Sequence, residues 1–453
     1  MAPRLLRILF LLTFLLATAL RLGLSLVNRE ANDPHLEVAQ IILQNNRLPT
    51  RDDCWECFQP KLYHIILAKL FQAGQIYRPA AQIVAANLFS AAAGVLTLAA
   101  LWRWMAQLGL TSRPTGWLAF TLAALNPKLI GINAQATNDS LLILFSTLAL
   151  HQAWNLLQAP KNSPASRSRV SFGLACLFTF LAASTKTNGW VTFTAILLAL
   201  LIRALRDPAN RLRLETYALA WLLIVPAAVS INPLNQYFSN VQKYGTPLVT
   251  NINRAAPPAL FEPTPTNKPG LLSIQDGFFT FKLSSLLATP YINPEPQQPL
   301  PHRTSFWTQL YGRAHSVNFD NWPATWRSDN PAGFPLRRAI YLLALLPTGL
   351  LLAGTVRESA RLLRGADENA LFLLVWLGYL SFVALYAWIY REYPVMKAIF
   401  LYPALPAFPV LFHNAAQKLP GRAIQLLIAL SILLFALYVT DVLTLAMRLA
   451  AIL

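Results

Sequence analysis

The chain has 453 residues, of which 55% are hydrophobic and only 12% charged, with a formal net charge of +18 and a mean hydropathy of +0.43. Soluble domains carry about 25% charged residues, so this composition excludes an ordinary soluble protein. It points to one polytopic membrane body rather than the roughly three soluble domains that length alone would suggest. The positive charge does not call for nucleic acid, because Lys and Arg gather in the cytoplasmic loops of membrane proteins. A basic extracytoplasmic cavity for a phosphorylated lipid needs only a few of those charges.

Residues 5–27 are long enough to cross a bilayer, which takes about 20 apolar residues, and Arg4 and Arg7 precede them. Ala17-Thr18-Ala19 resembles a signal-peptidase site, but the apolar run continues past it. The segment reads as an uncleaved signal anchor with its N-terminus inside. Arg21 lies near its outer end, where it reaches the interface or a cavity. Further spans are predicted at about 80–105, 114–134, 139–158, 170–187, 189–205, 215–232, 338–356, 369–390, 398–414 and 423–443. The fold class is therefore an all-α polytopic membrane protein of about eleven transmembrane helices. Loops predicted inside carry Arg113; Lys161, Arg167 and Arg169; Arg203, Arg206, Arg211 and Arg213; Arg357, Arg361 and Arg364; and Lys418 and Arg422. Outside loops are poorer in Lys and Arg, as expected of a multi-pass protein with its N-terminus in the cytoplasm.

Two extracytoplasmic regions stand out within this single body of residues 1–453, at 28–79 and about 233–337. The second is rich in Pro, Asn and aromatics, and its Trp307, Tyr311, Trp322 and Trp326 predict that it packs rather than floats. The first carries the chemistry. Residues 34–46 read as a short amphipathic surface helix, capped by Asn32 or Asp33 with Pro34 in its first turn. A second amphipathic stretch starts at Gln59 and ends near Gly74. Asp33 has two readings, a helix cap or a general base at the membrane face. His35, one residue on from the cap proline, either assists that base or sits among lipid headgroups. Asp52, Asp53 and Glu56 form a solvated loop tip, or contact an acceptor or a divalent cation. Cys54 and Cys57 form a CxxC, read as a disulfide in an oxidising compartment, as half of a zinc site with His35 or His64, or as unbonded thiols. Gln59, Tyr63 and His64 suit the polar wall of a cavity or an interfacial aromatic belt.

These residues resemble the glycosyltransferase C superfamily, in its bacterial branch related to the protein O-mannosyltransferases and aminoarabinose transferases. Asn32-Asp33-Pro34-His35 holds the place of the acidic motif that opens the first outer loop in that superfamily. Gln59-Pro60-Lys61-Leu62-Tyr63-His64 holds the place of a Gln/His-Pro-Pro-Leu-Tyr-Tyr-like element between two surface helices. Asn133 to Leu142 resembles the short outer turn between the third and fourth spans, with Asn138 and Asp139 as its polar core. Ser184 to Gly189 resembles a Lys-Xaa-Asn-Gly-like turn. Lys397 to Phe408 resembles a late Arg/Lys-Tyr-Leu-Xaa-Pro-Ala-Leu-Pro element. The similarity runs over about residues 1–415. Three departures stand against it: the usual Asp-Glu pair is Asn32-Asp33, the second proline is Lys61, and 233–337 has no counterpart.

The resemblance implies a membrane glycosyltransferase that moves a sugar from a polyprenyl-phosphate donor to an extracytoplasmic lipid, glycan or protein acceptor. Asp33 would act as base, assisted by His35, in a single inverting displacement. Lys397, Arg391 and Lys186 would meet the donor phosphate; Lys397 reads equally as a snorkelling interfacial lysine. Gln59, Tyr63, His64, Asn138 and Asp139 would line the cavity. Arg313, His315 and Asp320 either reach that cavity or lie on a solvated loop. Two other readings are open: a transporter or flippase of a lipid-linked solute, and a non-catalytic glycolipid-binding relative. The chain shows no internal repeat of the kind many transporters carry, and no GxSxG, HExxH or P-loop.

Overall fold

The structure is a computed structural model that describes residues 3–31, 34–159, 165–250, 273–292, 300–320, 323–390 and 396–453. In chain order its α-helices are α1 (Pro3–Val27), α2 (His35–Asn45), α3 (Leu62–Ala73), α4 (Pro79–Gln107), α5 (Pro114–Ala124), α6 (Pro127–Asn133), α7 (Asp139–Leu157), α8 (Ala165–Thr185), α9 (Gly189–Arg206) and α10 (Arg211–Ile231). There follow α11 (Tyr237–Tyr244), α12 (Ile274–Phe278), α13 (Leu283–Ala288), α14 (Phe306–His315), α15 (Phe334–Leu363), α16 (Ala370–Tyr390), α17 (Ala407–Ala416) and α18 (Gly421–Ala450). Among the described residues the one departure from helix, turn and coil is an isolated parallel bridge between Ile292 and Asp320.

Nine of the described helices are long and apolar enough to cross a membrane, and a bent pair makes a tenth. The sequence predicts about eleven, and the difference lies at residues 114–134. Pro127 has no N–H to continue a helix and holds the residue before it out of the helical region. Asn126 accordingly adopts φ −55°, ψ 120°, and its side chain accepts from Leu129 N to start a new helix. The expected span becomes α5 and α6, each too short to cross alone. The bent pair is the 3-10 turn Ala398–Ala404 followed by α17, at 81°.

Hydrogen bonds sort the loops to two ends. At one end Arg203 meets Asp367 at 2.8 Å, Arg206 donates to the Leu362 carbonyl, Arg213 to that of Ala159, and Thr115 pairs with His413. At the other, Asn28 donates to the Ala134 carbonyl, Asn138 to that of Thr185, Gln236 to that of Pro49, and Lys61 N to the Leu234 carbonyl. The first end holds the basic loops.

The surface helices lie at the second end. Leu36 and Ala39 of α2, with Tyr63, Leu67 and Phe71 of α3, pack on Ala86 and Ala93 of α4 and Leu141 and Leu144 of α7. Burying Leu67 and Phe71 contributes roughly 1.5–3 kcal/mol each. Asn46 ends α2 in the left-handed region at φ 47°, its N–H returning to the Ile42 carbonyl. Gly74 follows α3, as the sequence predicts.

Two contacts brace this end from within the bundle. Arg21 is fully buried, and donates to Asn133 Oδ1 and to the Ala17 and Ala124 carbonyls, each at 2.9 Å. Asn133 in turn donates to Ser140 Oγ at 3.0 Å. Gly94 allows this approach, since a Cβ there would sit 2.4 Å from the Asn133 amide.

Candidate active site

Three turns and the surface helices converge at the second end. The first turn of α2 presents His35 and the first turn of α3 presents Tyr63 and His64, all buried because the apolar faces behind them are pressed onto α4 and α7. His35 Nδ1 lies 3.2 Å from His64 Nε2. The Tyr63 ring stands edge-on to both imidazoles, and its hydroxyl pairs with Ser90 at 3.3 Å. Burial holds His64 well below the usual imidazole range, aided by His35, Lys61 and Lys186, and pushes the Tyr63 phenol up.

The turn before α7 and the turn before α9 form the second half. Lys186 Nζ donates to Asp139 Oδ1 at 2.7 Å and Oδ2 at 2.8 Å, with side chains 11% and 3% exposed. Asn138 ties the same turns together through the Thr185 carbonyl at 3.2 Å. The Lys186 ammonium also lies 5.3 Å from the centre of the Phe400 ring. Phe400 belongs to the 3-10 turn that Lys397 precedes. Lys397 is half-buried and makes no ion pair among the described residues.

That 3-10 turn borders a second feature. A cavity of about 490 Å³ lies between α5, α14, α15, α16, α17 and α18, with Ala398, Leu401 and Tyr402 on one wall. Its lining is almost wholly apolar, including Leu122, Leu345, Trp376 and Leu380. Of its few polar groups, Tyr402 donates to Asn126 at 2.8 Å and His315 bonds Tyr438 at 2.6 Å and Thr348 at 3.1 Å, while the Trp376 indole N–H has no hydrogen-bond partner among the described residues. Burial lowers the His315 imidazole to about 3.

The remaining predicted residues are placed as follows. Cys54 and Cys57 are joined in a disulfide that packs on Val38, Ile41 and Ile42 of α2, so the zinc reading loses its thiolates. Asp53 chelates Arg47 at 2.7 and 2.9 Å and accepts from Thr50 N, which holds its carboxyl well below the usual range. Asp52 is held low by Lys243 at 2.5 Å and by the Tyr244 hydroxyl at 2.8 Å. Glu56 accepts from the Gln59 amide at 3.4 Å. Among the described residues no group of three His, Cys, Asp or Glu could hold a metal ion. Gln59 is buried, and its backbone carbonyl accepts from Lys61 while its side-chain amide donates to Glu56. Of the large-loop residues, His315 lines the apolar cavity, whereas Arg313 pairs with Asp320 at 2.9 Å. Asn32, Asp33, Arg391 and Trp322 lie outside the described residues.

Sequence reasoning missed Lys61 as a site neighbour. It is fully buried, donating to the Cys57 and Gln59 carbonyls at 2.5 and 2.6 Å. Burial lowers its pKa to about 7, against the opposing pull of Asp53 and Glu56. The signal was there, since a lysine stands where the related element carries a second proline. The cavity left no such trace, because its lining residues read as ordinary apolar spans.

Residues 68–239, well under half of the chain, match the family model described as dolichyl-phosphate-mannose-protein mannosyltransferase. This supports the relation to the glycosyltransferase C superfamily. Among solved structures, ArnT from Cupriavidus metallidurans in the apo state is similar at 12% identity over 97% of this chain and 75% of that one, with a TM-score of 0.49. The same protein bound to undecaprenyl phosphate is similar at 15% identity over 91% and 80%, with a TM-score of 0.38. No curated protein sequence matches.

Proposed function

We propose that this protein is a membrane glycosyltransferase that moves a sugar from a polyprenyl-phosphate donor to an acceptor at the extracytoplasmic face. One observation carries the reading. The 3-10 turn Ala398–Ala404 joins an apolar cavity to a buried polar cluster, walling the first with Leu401 and touching Lys186 of the second with Phe400. An amphiphile with a long apolar tail and an anionic head is what such a junction fits. The cavity volume falls in the roughly 300–1,000 Å³ range of small-molecule sites. The family match at 68–239 supports a phosphopolyprenol-linked sugar as that amphiphile.

In this reading the tail lies in the cavity and the phosphate meets Lys397. Lys186 spends two of its three N–H groups on Asp139, leaving one for a phosphate oxygen. Arg391 is the third cation. Asp33, just ahead of α2, takes the proton of the acceptor nucleophile, and His35 supports the nucleophile from the first turn of the helix. The new bond forms at the anomeric carbon as the carbon–oxygen bond to phosphate breaks, its electron pair leaving with the polyprenyl phosphate. One displacement inverts the anomeric centre, in contrast to the two displacements of retaining hydrolases.

The test uses the full chain in lipid nanodiscs with radiolabelled polyprenyl-phosphate mannose and extracted cell-envelope acceptors. Asp33→Asn is expected to abolish transfer with the protein still folded. Lys397→Ala is expected to raise the donor KM about 10-fold, the loss of one charge-assisted contact. Transfer by Asp33→Asn at the wild-type rate refutes the base assignment, and an unchanged donor KM in Lys397→Ala returns that lysine to the snorkelling role.

A further inference from the structure

We infer that the arginines where α15 and α18 meet at the second end form a binding site for the headgroup of an anionic phospholipid. None of these arginines lines the apolar cavity, and the site stands whether or not the protein transfers sugar. Lys and Arg gather at the cytoplasmic end of membrane proteins. That is the end of the basic loops, so arginines collected at the second end run against the bias. Arg337 and Arg338 lie near the start of α15, and Arg448 lies in the last turn of α18. Two of them reach the same loop. Arg448 Nη1 donates to the Arg327 carbonyl at 2.6 Å, and Arg337 Nη1 donates to the carbonyl of Ser328. Two consecutive carbonyls thereby draw two guanidinium groups together, beside a third on Arg327.

The protein leaves this charge unmet. Among the described residues Arg337, Arg338 and Arg448 bond backbone carbonyls and make no ion pair. Asp329 is taken by Arg327, at 2.9 and 3.2 Å. Asp441 is buried and accepts from Val317 N at 2.8 Å. The Nε atoms of Arg337 and Arg448 are sealed from solvent with no hydrogen-bond partner. A guanidinium cannot shed its proton to relieve such crowding, and its planar fork suits phosphate oxygens. The surroundings select a lipid over a soluble anion. Both helices are long and apolar enough to cross the membrane, and Leu342, Leu443 and Met447 are exposed on them. Leu342 follows Arg338 by four residues and Leu443 precedes Arg448 by five, about 6–8 Å of helix. The cations therefore stand at the edge of lipid-facing surface, at the level of headgroup phosphates. Basic pockets between transmembrane helices take anionic headgroups in this way. The effect extends to the candidate active site through the loop. Trp326 Nε1 donates to Asn28 at 3.3 Å and Thr325 to Glu30 at 2.9 Å, at the end of α1. A lipid phosphate on Arg337 and Arg448 steadies the loop that makes these contacts.

The experiment titrates the full chain in detergent with phosphatidylglycerol, phosphatidylcholine or inorganic phosphate, and counts bound molecules by native mass spectrometry. Phosphatidylglycerol is expected to bind saturably and about 10-fold more tightly than phosphatidylcholine. Each arginine near an anionic headgroup is worth about 5-fold in affinity. Arg337→Gln combined with Arg448→Gln should therefore weaken phosphatidylglycerol binding about 30-fold and leave phosphatidylcholine binding unchanged. Arg448→Gln alone, near a helix end, should lose about 5-fold and serves if the double variant does not fold. Arg422→Gln, at the other end of α18, is the control and is expected to change neither lipid. Equal affinity for the two lipids overturns the inference, as does undiminished phosphatidylglycerol binding in the folded glutamine variants. An equal loss in Arg422→Gln overturns it too, by showing unspecific charge attraction. Inorganic phosphate bound as tightly as phosphatidylglycerol overturns the lipid assignment, because the acyl chains then contribute nothing.

Discussion

Asp139→Asn tests whether the Lys186 pair is held together against the cost of burial. At 2.7 Å and an effective dielectric of about 20, two unit charges attract by about 6 kcal/mol. Desolvation of both groups offsets most of that gross value, so the pair adds little compared with an apolar one. Removing a single partner is another matter, because it strands a buried charge and costs about 3–5 kcal/mol. Lys186 keeps 11% of its side chain exposed, which puts Asp139→Asn near the lower end, about 3 kcal/mol. Lys186→Met removes the other charge, and the double variant leaves neither stranded. The double variant should therefore recover roughly 2 kcal/mol over the sum of the singles. The protein supplies its own reporter. With Cys54 and Cys57 joined, Cys176 in α8 is the free thiol, and it is partly shielded. Thermal unfolding in detergent with a thiol-reactive dye follows its exposure. Additivity of the two singles within about 0.5 kcal/mol would refute the claim that the charges stabilise one another.

Four further outcomes follow from the same packing. Gly94→Ala forces the Asn133 amide away from Arg21 and is expected to lower stability by about 1–3 kcal/mol; an unchanged melting curve counts against the Arg21 brace. Replacing both Cys54 and Cys57 by Ser opens a four-residue loop, worth about 2 kcal/mol on chain entropy, and should loosen α2, read as faster amide exchange at Val38. Lys61 is lowered in the fold, so between about pH 7 and its ordinary 10.5 the unfolded chain binds the extra proton and stability rises with pH. Lys61→Met should flatten that rise, and a slope equal to wild type would contradict it. Leu401→Trp narrows the apolar cavity, and should raise KM more for a long-chain polyprenyl-phosphate donor than for a short-chain one; equal shifts would place the tail elsewhere.

What the sequence disclosed and what it hid divide along physical lines. Long apolar runs flanked by arginines announce helices whatever they pack against, and α1, α4 and α9 begin and end close to where hydropathy puts them. The break at Asn126-Pro127 was equally written, but hydropathy averages over a proline and joins α5 to α6. Tyr63 and His64 could be read as members of a polar wall, and His35 as a residue at the start of a surface helix, because they interrupt amphipathic stretches. Their mutual geometry could not, because it depends on how α2 and α3 are pressed onto α4 and α7. Asp139 and Lys186 are 47 residues apart, and no local pattern links them; each reads alone as a turn residue. Lys61 shows the opposite case. Its strangeness was visible, but its burial is set by the Cys54–Cys57 turn folding over it.

Arg21 has a consequence for the order in which the protein is made. Beyond its own helix, its guanidinium donates to Ala124 and Asn133, 103 and 112 residues further along. At about 5–20 residues per second of synthesis, those partners emerge about 6–22 s after the arginine. A lone arginine costs about 2.5–3.5 kcal/mol at the centre of a helix in lipid, which is an upper bound for Arg21 near the outer end of α1. The first helix is therefore incomplete as a bilayer element while it stands alone, and becomes secure only when α6 docks. The contacts that bury this arginine are completed only after the segment that carries α5 and α6 has been made.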